Sequence, residues 1–283
     1  NLGQDLPILL EQTPSVVVDS DAGAGVGYTG LRIRGSDGTR INVTINGVPI
    51  NDAESQGVFW VNMPDLVSSA EDIQIQRGAG TSTNGAGAFG ASINVRTNAL
   101  RREPYAEIAN SIGSFNTRRH SISFGTGLIG GRLIAEGRLA HISSDGYVDR
   151  ASARLRAYFL TLSWLGDKTL LRFNTFGGTE RTYQAWGGVP VTFLQSNPTY
   201  NPYTYDNEVD DYAQTHYQLH ATRYLSPALT ANVSLHYTRG AGFFEQYRED
   251  DDLSRYGLDD VSIGDTTISS SDLIRRRWLD NDF

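Results

Sequence analysis

The 283-residue sequence contains no cysteine, one methionine and a single lysine, Lys168. The absence of cysteine excludes disulfide frameworks, thiolate zinc sites and thiol nucleophiles. No apolar run approaches the ~18 residues that a transmembrane helix requires. This does not exclude a membrane protein, because the strands of a transmembrane β-barrel show only an alternation of apolar and polar residues.

Positive charge is also scarce. The chain has 24 basic against 32 acidic side chains and a formal net charge of -8. Nucleic-acid-binding proteins usually present a basic surface, so this balance argues against a nucleic-acid partner. The sequence begins at Asn1 and ends at Phe283, inside a predicted strand. We therefore expect a segment of a longer chain, beginning after a removed signal peptide or within the protein.

Residues 1–99 are rich in glycine and short periodic segments, which predicts a small α+β domain with open loops. A short helix is predicted at 6–11, where Pro7 lies in the first turn, and another helix begins at Pro64. Strands are predicted from period-2 patterns. They are 31–34, 40–46, 72–77 and 91–97.

Residues 100–283 alternate almost strictly between apolar and polar side chains. In 229–237 the odd positions are Leu, Ala, Val, Leu and Tyr, and the even positions are polar. Such alternation is typical of strands with one apolar face, which occur both in soluble β-sandwiches and in membrane barrels. Eight strands are predicted at 104–113, 117–127, 131–143, 154–165, 169–180, 212–225, 228–240 and from 274 onward.

The lengths of the connections favour the membrane alternative. Outer-membrane barrels have short turns on one rim, long loops on the other and aromatic girdles. Long loops are predicted at 181–211 and 241–273, and aromatic residues lie near many predicted strand ends. The short turns are 128–130, 166–168 and 226–227, with 114–116 as a short connection on the other rim.

Four motifs follow one another in the first 99 residues. They are 33–35 (Ile-Arg-Gly), 45–49 (Ile-Asn-Gly-Val-Pro), 73–78 (Ile-Gln-Ile-Gln-Arg-Gly) and 84–97, which includes Asn-Gly-Ala-Gly-Ala-Phe-Gly and Ile-Asn-Val-Arg-Thr. Their order and spacing resemble the plug domain of TonB-dependent outer-membrane receptors. The sequence departs from the family's pattern at Asn46 in place of Asp, Ala79 in place of Pro and Ala91 in place of Gly. These departures are conservative.

The resemblance implies a plug domain at 1–99 and the N-terminal part of a transmembrane β-barrel at 100–283. Barrels of plugged outer-membrane transporters have about 22 strands, whereas about eight strands leave room only for their own side chains. Eight strands therefore cannot enclose a plug of this size. We predict an α+β plug domain followed by antiparallel transmembrane β-barrel strands, an incomplete barrel with about eight strands of a larger one.

The resemblance also implies how the plug is held. Plug arginines of this family pair with barrel glutamates, and Arg34 and Arg77 match those positions. Glu136 is a candidate partner, because the alternation of its strand directs its side chain to the polar face. A surface ion pair of little energetic value is the alternative for both arginines.

Residues 55–60 form the candidate ligand site. Phe59 and Trp60 give a polar loop an apolar cluster, which usually indicates contact with another molecule. By resemblance this loop reaches the extracellular apex of the plug, where Ser55 and Gln56 flank the aromatic pair. Packing of the two aromatic rings against the barrel wall remains an equal alternative.

No catalytic residues, metal site or cofactor are predicted. The sequence shows no nucleophile paired with a base and no paired carboxylates. No residues can therefore be assigned to a catalytic site. The acidic run at 249–252 lacks the spaced acids and glycine of a calcium loop, and a solvated charge run is its simpler interpretation.

The resemblance implies uptake of a scarce solute across the outer membrane of a Gram-negative bacterium. The implied partners are the outer-membrane lipid and TonB with its inner-membrane energising complex, and we expect the TonB box to precede the plug. An iron–siderophore complex is the preferred cargo by family frequency. Cobalamin, haem or a glycan remain open, as does a non-transporting plugged barrel with an adhesion or assembly role.

Overall fold

A computed structural model describes residues 3–79, 87–97 and 100–283. It contains an N-terminal unit of short elements and a sheet of long strands. The predicted motif residues 84–86 and the last predicted residue of the plug, 99, lie outside the described residues. The domain boundary at 99 therefore stays a prediction.

The N-terminal unit is built on a mixed four-stranded sheet in the order β4-β3-β6-β5. Strands β3 and β6 are parallel, and the other two pairs are antiparallel. The strands are β3 (Ile41–Ile45), β4 (Val48–Pro49), β5 (Ala70–Arg77) and β6 (Ala91–Thr97). Beside the sheet lie the helix α1 (Leu6–Leu9) and the hairpin β1 (Val16–Ser20) and β2 (Thr29–Ile33). The sequence pattern missed β1, because Val-Val-Val-Asp-Ser shows no alternation.

The second unit is an antiparallel eight-stranded sheet whose strands follow chain order, apart from one hairpin inserted in its last loop. Its strands are β7 (Pro104–Ile112), β8 (Arg118–Thr126), β9 (Leu133–Ser144), β10 (Ala153–Leu165), β11 (Thr169–Tyr183), β12 (Val209–Ser226), β13 (Leu229–Asp252) and β16 (Ser270–Asp282). The hairpin is β14 (Val261–Ile263) and β15 (Thr266–Ile268). In the described residues the sheet is open at β7 and β16. The predicted fold class is confirmed.

One predicted loop is wrong. The loop expected at 241–273 begins as strand, because β13 continues to Asp252 and pairs with β16 as far as Ser270. The apolar alternation fades at Gly240 and Gly242, but backbone pairing does not need large side chains. The two long connections are therefore 184–208 and 253–269.

The faces of the sheet differ as the alternation predicts. In β10 the side chains of Leu155, Phe159 and Ser163 are buried at 1% exposure or less, whereas Leu160 and Leu162 are more than 40% exposed. The buried face packs on the N-terminal unit, since Phe159 belongs to that unit's hydrophobic core. The other face presents apolar residues outward.

Among the residues that the structure describes, no helix combines the length and apolar character needed to cross a bilayer.

Candidate ligand site and plug–barrel contacts

The loop 51–59 has a defined backbone fixed by its own polar side chains. The Asn51 amide donates to the carbonyl oxygens of Ile41 and Gln56, each at 2.9 Å. The Asp52 carboxylate accepts from the backbone N–H of Ser55 at 2.6 Å. A loop ordered in this way loses little conformational entropy when a ligand binds.

The structure separates the two aromatic residues of this loop. Phe59 is 47% exposed, and Ser55 and Gln56 are exposed as well. Trp60 is only 6% exposed, begins the 3₁₀ turn Trp60–Asn62 and packs in the main hydrophobic core. An indole needs a large apolar contact area, and the core provides it. Trp60 therefore packs inside the molecule, whereas Phe59 does not, and the binding role of Ser55, Gln56, Phe59 and Trp60 stays a prediction.

An aromatic cluster that the sequence did not reveal joins the N-terminal unit to the connection 184–208 and to strands β13 and β16. Trp186, in the connection 184–208, contacts Tyr28 and Phe244 edge-on, with 5.6 Å between ring centroids in both pairs. The Arg275 guanidinium lies 6.0 Å from the Phe244 ring centroid. These residues come from four distant segments, so no local pattern in the sequence indicates the cluster.

Tyr28 also makes a polar contact with the sheet, because its hydroxyl donates to the Asp210 carboxylate. Burial, followed by the nearby charges of Glu180 and Asp210, raises the pKa of the Tyr28 phenol well above its ordinary value. The phenol therefore remains protonated at neutral pH and serves as a donor.

A buried ionic cluster fastens the N-terminal unit to the sheet. The Asp65 carboxylate accepts from Arg119 Nε at 3.0 Å and Nη2 at 2.9 Å, and it also pairs with Arg138. Arg138 Nε donates to Ser69 Oγ at 2.8 Å, and Ser68 Oγ donates to Asp65 at 2.6 Å. The three charged side chains are at most 7% exposed. Bidentate, charge-assisted bonds of this type fix both position and orientation.

The backbone at Asp65 supports the cluster. Asp65 follows Pro64 and adopts a left-handed conformation with φ of 56°. Asp tolerates this region better than most residues, because its short side chain bonds locally. Arg119 and Arg138 occupy inward positions of β8 and β9, and the alternation in 133–139 predicted that facing for Arg138. No pattern in the sequence indicated Asp65 as their partner.

The predicted locking arginines lie elsewhere in the N-terminal unit. Arg77 Nη1 donates to the Pro14 carbonyl at 3.2 Å, and the Arg34 side chain lies beside Gly78. Glu136 is buried and accepts from the Arg101 backbone N–H at 3.1 Å, and its second oxygen has no hydrogen-bond partner among the described residues. The structure does not bring Glu136 together with either arginine, and their locking role stays a prediction.

The turn of the second sequence motif contacts the sheet directly. Gln218 of β12 is fully buried, and its amide donates to the Ile45 carbonyl at 3.1 Å. Asn46 Nδ2 donates to Gln218 Oε1 at 3.2 Å. The motif therefore has a role in seating the N-terminal unit on the sheet.

Comparison with known proteins agrees with this architecture. The family model of the TonB-dependent receptor plug domain matches residues 3–92. No curated protein sequence matches the chain. The fold is similar to that of the ferric-catecholate import receptor Fiu of E. coli K12 in its open form, with a TM-score of 0.70, 17% identity and coverage of 98% of this chain and 42% of Fiu.

Two other solved structures give the same result. The unliganded ferric citrate transporter FecA matches with a TM-score of 0.69 and 15% identity, over 88% of this chain and 39% of FecA. The siderophore receptor PiuA of Acinetobacter baumannii matches with a TM-score of 0.67 and 14% identity, over 89% of this chain and 36% of PiuA. The chain thus spans about two fifths of the length of these proteins.

The matched plug domain and the shared fold confirm the resemblance of the sequence motifs and the outer-membrane location. Residues 3–92 of the N-terminal unit are accordingly a TonB-dependent receptor plug domain, and the eight-stranded sheet has the fold of the corresponding part of the barrel wall in the solved receptors.

Proposed function

We propose that the protein binds a scarce solute at the cell surface and imports it with energy supplied through TonB and its inner-membrane complex. The outer membrane holds no ATP, so the energy must arrive mechanically through a partner. The observation that carries this proposal is the contact between plug and wall. Apolar core residues of the plug pack on Phe159 and Phe176, while the buried Asp65 cluster fastens it.

That interface is suited to a plug that must be held firmly and still move. In a purely apolar interface, the stabilisation is spread over the whole buried area. An ionic cluster is a local contact, and a small displacement of the plug breaks it. Removal of one partner of a buried ion pair leaves an unpaired charge, which is strongly unfavourable. The ion pairs therefore define one position of the plug, and a small displacement from that position costs a large free energy.

We place the ligand site at the apical loop and the aromatic cluster beside it. Phe59, Ser55 and Gln56 are the exposed residues of the loop, and Trp60 holds its end in the core. Asp52 of this loop interacts electrostatically with Tyr212 of β12. Tyr212 lies near the start of β12, just after the connection 184–208. The loop thus lies toward the end of β12 that follows the connection 184–208. Arg34 and Arg77 remain proposed locking residues.

An iron–siderophore complex is the cargo we prefer. The functions of the structural neighbours support a chelated metal: Fiu is a ferric-catecholate import receptor, FecA is a ferric citrate transporter and PiuA is a siderophore receptor. Aromatic rings such as Phe59 and Trp186 suit the broad apolar periphery of such complexes. Transport, not catalysis, is the activity proposed.

Growth of a deletion strain on single iron sources tests this function. The strain is grown with one ferric siderophore at a time, and cobalamin, haem and glycan utilisation serve as parallel arms. Loss of growth on one ferric siderophore, restored by the full-length gene, is the expected result. A defect confined to cobalamin, haem or a glycan would reassign the cargo. Normal growth in every arm with lost adhesion would support the non-transporting role instead.

A further inference from the structure

Three buried carboxyl groups meet where the plug contacts the sheet, and we name them the carboxyl cluster. Asp5 precedes helix α1 of the plug, Glu180 lies in β11, and Asp210 is the second residue of β12. Their exposed fractions are 2%, 3% and 4%. Asp210 lies opposite Thr182, so Glu180 and Asp210 are diagonal neighbours on the inward face of the sheet. Asp5 interacts electrostatically with Glu180 from the plug side.

The plug closes this cluster with the hydroxyl of Tyr28. The hydroxyl donates to the Asp210 carboxyl group and also interacts with Glu180. Thr182 Oγ1 donates to Glu180 at 2.8 Å. One oxygen of Asp210 and one of Asp5 have no hydrogen-bond partner among the described residues. Burying an unpaired oxygen costs less free energy when its group is neutral than when it is ionised.

No basic side chain of the described part of the chain forms an ion pair with the cluster. The charged groups that act on it from the surrounding elements are acidic: Asp21 and Asp65 in the plug and Asp211 in β12. Arg181, the residue after the β11 acid, instead pairs with Asp211 on the exposed side of the sheet at 2.6 Å. The ionic cluster at Asp65 differs, because two arginines there neutralise one carboxylate. The same interface thus contains one neutralised acid and three acids without a counter-charge.

Three carboxyl groups in a dry contact without a cation cannot all be ionised at low cost, because burial and mutual repulsion both favour the neutral form. In aspartic proteases, two carboxyl groups at close range share one proton for the same reason. Burial raises the pKa of the Asp5 carboxyl well above its ordinary value, and the bond from Thr29 Oγ1, at 3.3 Å, offsets only part of this effect. The cluster therefore holds at least one proton while Tyr28 lies against it.

We propose that this proton is linked to the position of the plug: the carboxyl cluster holds it while Tyr28 lies against the sheet and releases it when the hairpin β1–β2 moves away. Displacement hydrates the carboxyl groups, and the proton passes from a carboxyl oxygen to water. The state with the plug in place binds more protons, so rising pH favours displacement. Below about pH 4 hydrated carboxyl groups are themselves protonated, and the dependence disappears. The inference deepens the proposed function, on which it rests only for the view that the plug moves during import.

The test is cysteine labelling of the purified full-length receptor by a methanethiosulfonate reagent, without ligand or TonB. Val26→Cys is the reporter, because Val26 lies two residues before Tyr28 and is fully buried in contact with the sheet. Val43→Cys is the reference, because Val43 is buried in the plug's own sheet. Only the thiolate of an exposed thiol reacts, so the ratio of the two labelling rates cancels the effect of pH on the thiol itself. The receptor without either substitution gives the background.

The ratio of reporter to reference labelling is expected to rise roughly fivefold or more between pH 5 and pH 8, because one released proton changes the opening equilibrium by up to about tenfold per pH unit. E180Q/D210N should remove the rise, because the amides accept the same hydrogen bonds but bind no proton. Asp211→Asn is the matched control, since Asp211 follows Asp210 in β12 but pairs with Arg181 on the exposed side, and the rise should persist. Heat-modifiable electrophoretic mobility verifies that each variant is folded.

Tyr28→Phe tests the contact itself, because it keeps the ring but removes the hydroxyl donor, and the labelling ratio should then be higher already at pH 5. Four results would overturn the proposal. They are a ratio that does not change with pH, a rise that persists in the folded E180Q/D210N variant, an unchanged ratio in Tyr28→Phe, and loss of the rise in Asp21→Asn, which would assign the proton to Asp21. Since no transport is measured, failure of this test leaves the proposed import intact, and failure of import leaves the proton linkage intact.

Discussion

Asp65 of the plug and Arg138 of strand β9 form an ion pair in which both side chains are almost fully buried, at 0% and 6% exposure. Arg119 completes the cluster through two further bonds to the same carboxylate. The pair spans 73 residues of sequence and joins the two structural units of the chain. One carboxylate shared by two arginines is thus the ionic part of the attachment of the plug to the sheet.

Asp65→Asn is expected to lower the free energy of unfolding by about 3–5 kcal/mol, because two buried guanidinium groups lose their counter-charge. Asp37→Asn is the matched control: Asp37 also lies in the plug and pairs with Arg40 at 3.2 Å, but both side chains are largely exposed. Its expected cost is much smaller, because an exposed ion pair contributes little to stability. Denaturant unfolding of the full-length receptor measures both, and equal costs would contradict the anchoring role of Asp65.

Substitutions on the two faces of β13 test the membrane assignment. Leu235 is 60% exposed on the outward face, so Leu235→Arg should cost about 2–4 kcal/mol near the bilayer midplane. Ser234→Arg is the control, because Ser234 neighbours Leu235 on the opposite face of the strand. Its hydroxyl forms a hydrogen bond with His220 there. Folding into lipid vesicles at increasing denaturant gives both values. Similar losses on both faces would indicate that the outward face does not contact lipid.

Phe59→Ala is expected to weaken binding of the iron complex that supports growth by tenfold or more, about 1.4 kcal/mol. Its thermal unfolding should stay close to that of the unmodified receptor, because Phe59 is half-exposed. Trp60→Ala should instead lower stability by about 3–5 kcal/mol, as expected for a large aromatic residue in a core. Phe89→Ala, which removes an exposed ring elsewhere in the plug, is the binding control. Unchanged affinity in Phe59→Ala would move the ligand site away from this loop.

The plug should lose stability as the pH rises through the weakly acidic range. Burial, and then repulsion from Asp19, raises the pKa of the Asp21 carboxyl to about 6. Because this folded-state pKa lies above the ordinary value of 3.8, the contribution of the group to stability is present below about pH 4 and is lost as the pH rises through about 6.

Asp21→Asn should remove that part of the pH profile. Thermal unfolding at pH 4, 5, 6 and 7 is the measurement, and the variant should gain stability relative to the unmodified receptor between pH 4 and pH 6. Asp167→Asn, at an exposed turn, controls for the loss of one carboxylate. Parallel profiles for Asp21→Asn and the unmodified receptor would show that Asp21 does not titrate in this range.

The sequence predicted the barrel strands well because alternation reports one physical fact, that each strand has two different environments. Strand β10 was expected at 154–165 and extends over Ala153–Leu165. Strand β13 was underestimated, because Gly240 and Gly242 interrupt the apolar pattern without interrupting the backbone pairing. Its pairing with β16 depends on residues far along the chain, and local periodicity carries no information about them.

The functional contacts were harder to predict for the same reason. Motif resemblance singled out the loop 51–59 as a candidate site, but exposure of Phe59 and burial of Trp60 depend on how the plug packs against Phe159 and Phe176. The Asp65 cluster requires an acid from the plug and arginines from two strands that follow it in the chain. Neither the residue types nor their spacing identifies such a set before the strands are in register.

The most direct test of the proposed function is the accumulation of ⁵⁵Fe-loaded siderophore by a deletion strain that expresses the full-length receptor. The siderophore is the one that fails to support growth of the deletion strain, and the assay is run in tonB-positive and tonB-deleted backgrounds. The account predicts saturable accumulation that requires both the receptor and TonB, with surface binding retained when TonB is absent. Accumulation that is equal in the two backgrounds, or that does not depend on the receptor, would contradict it.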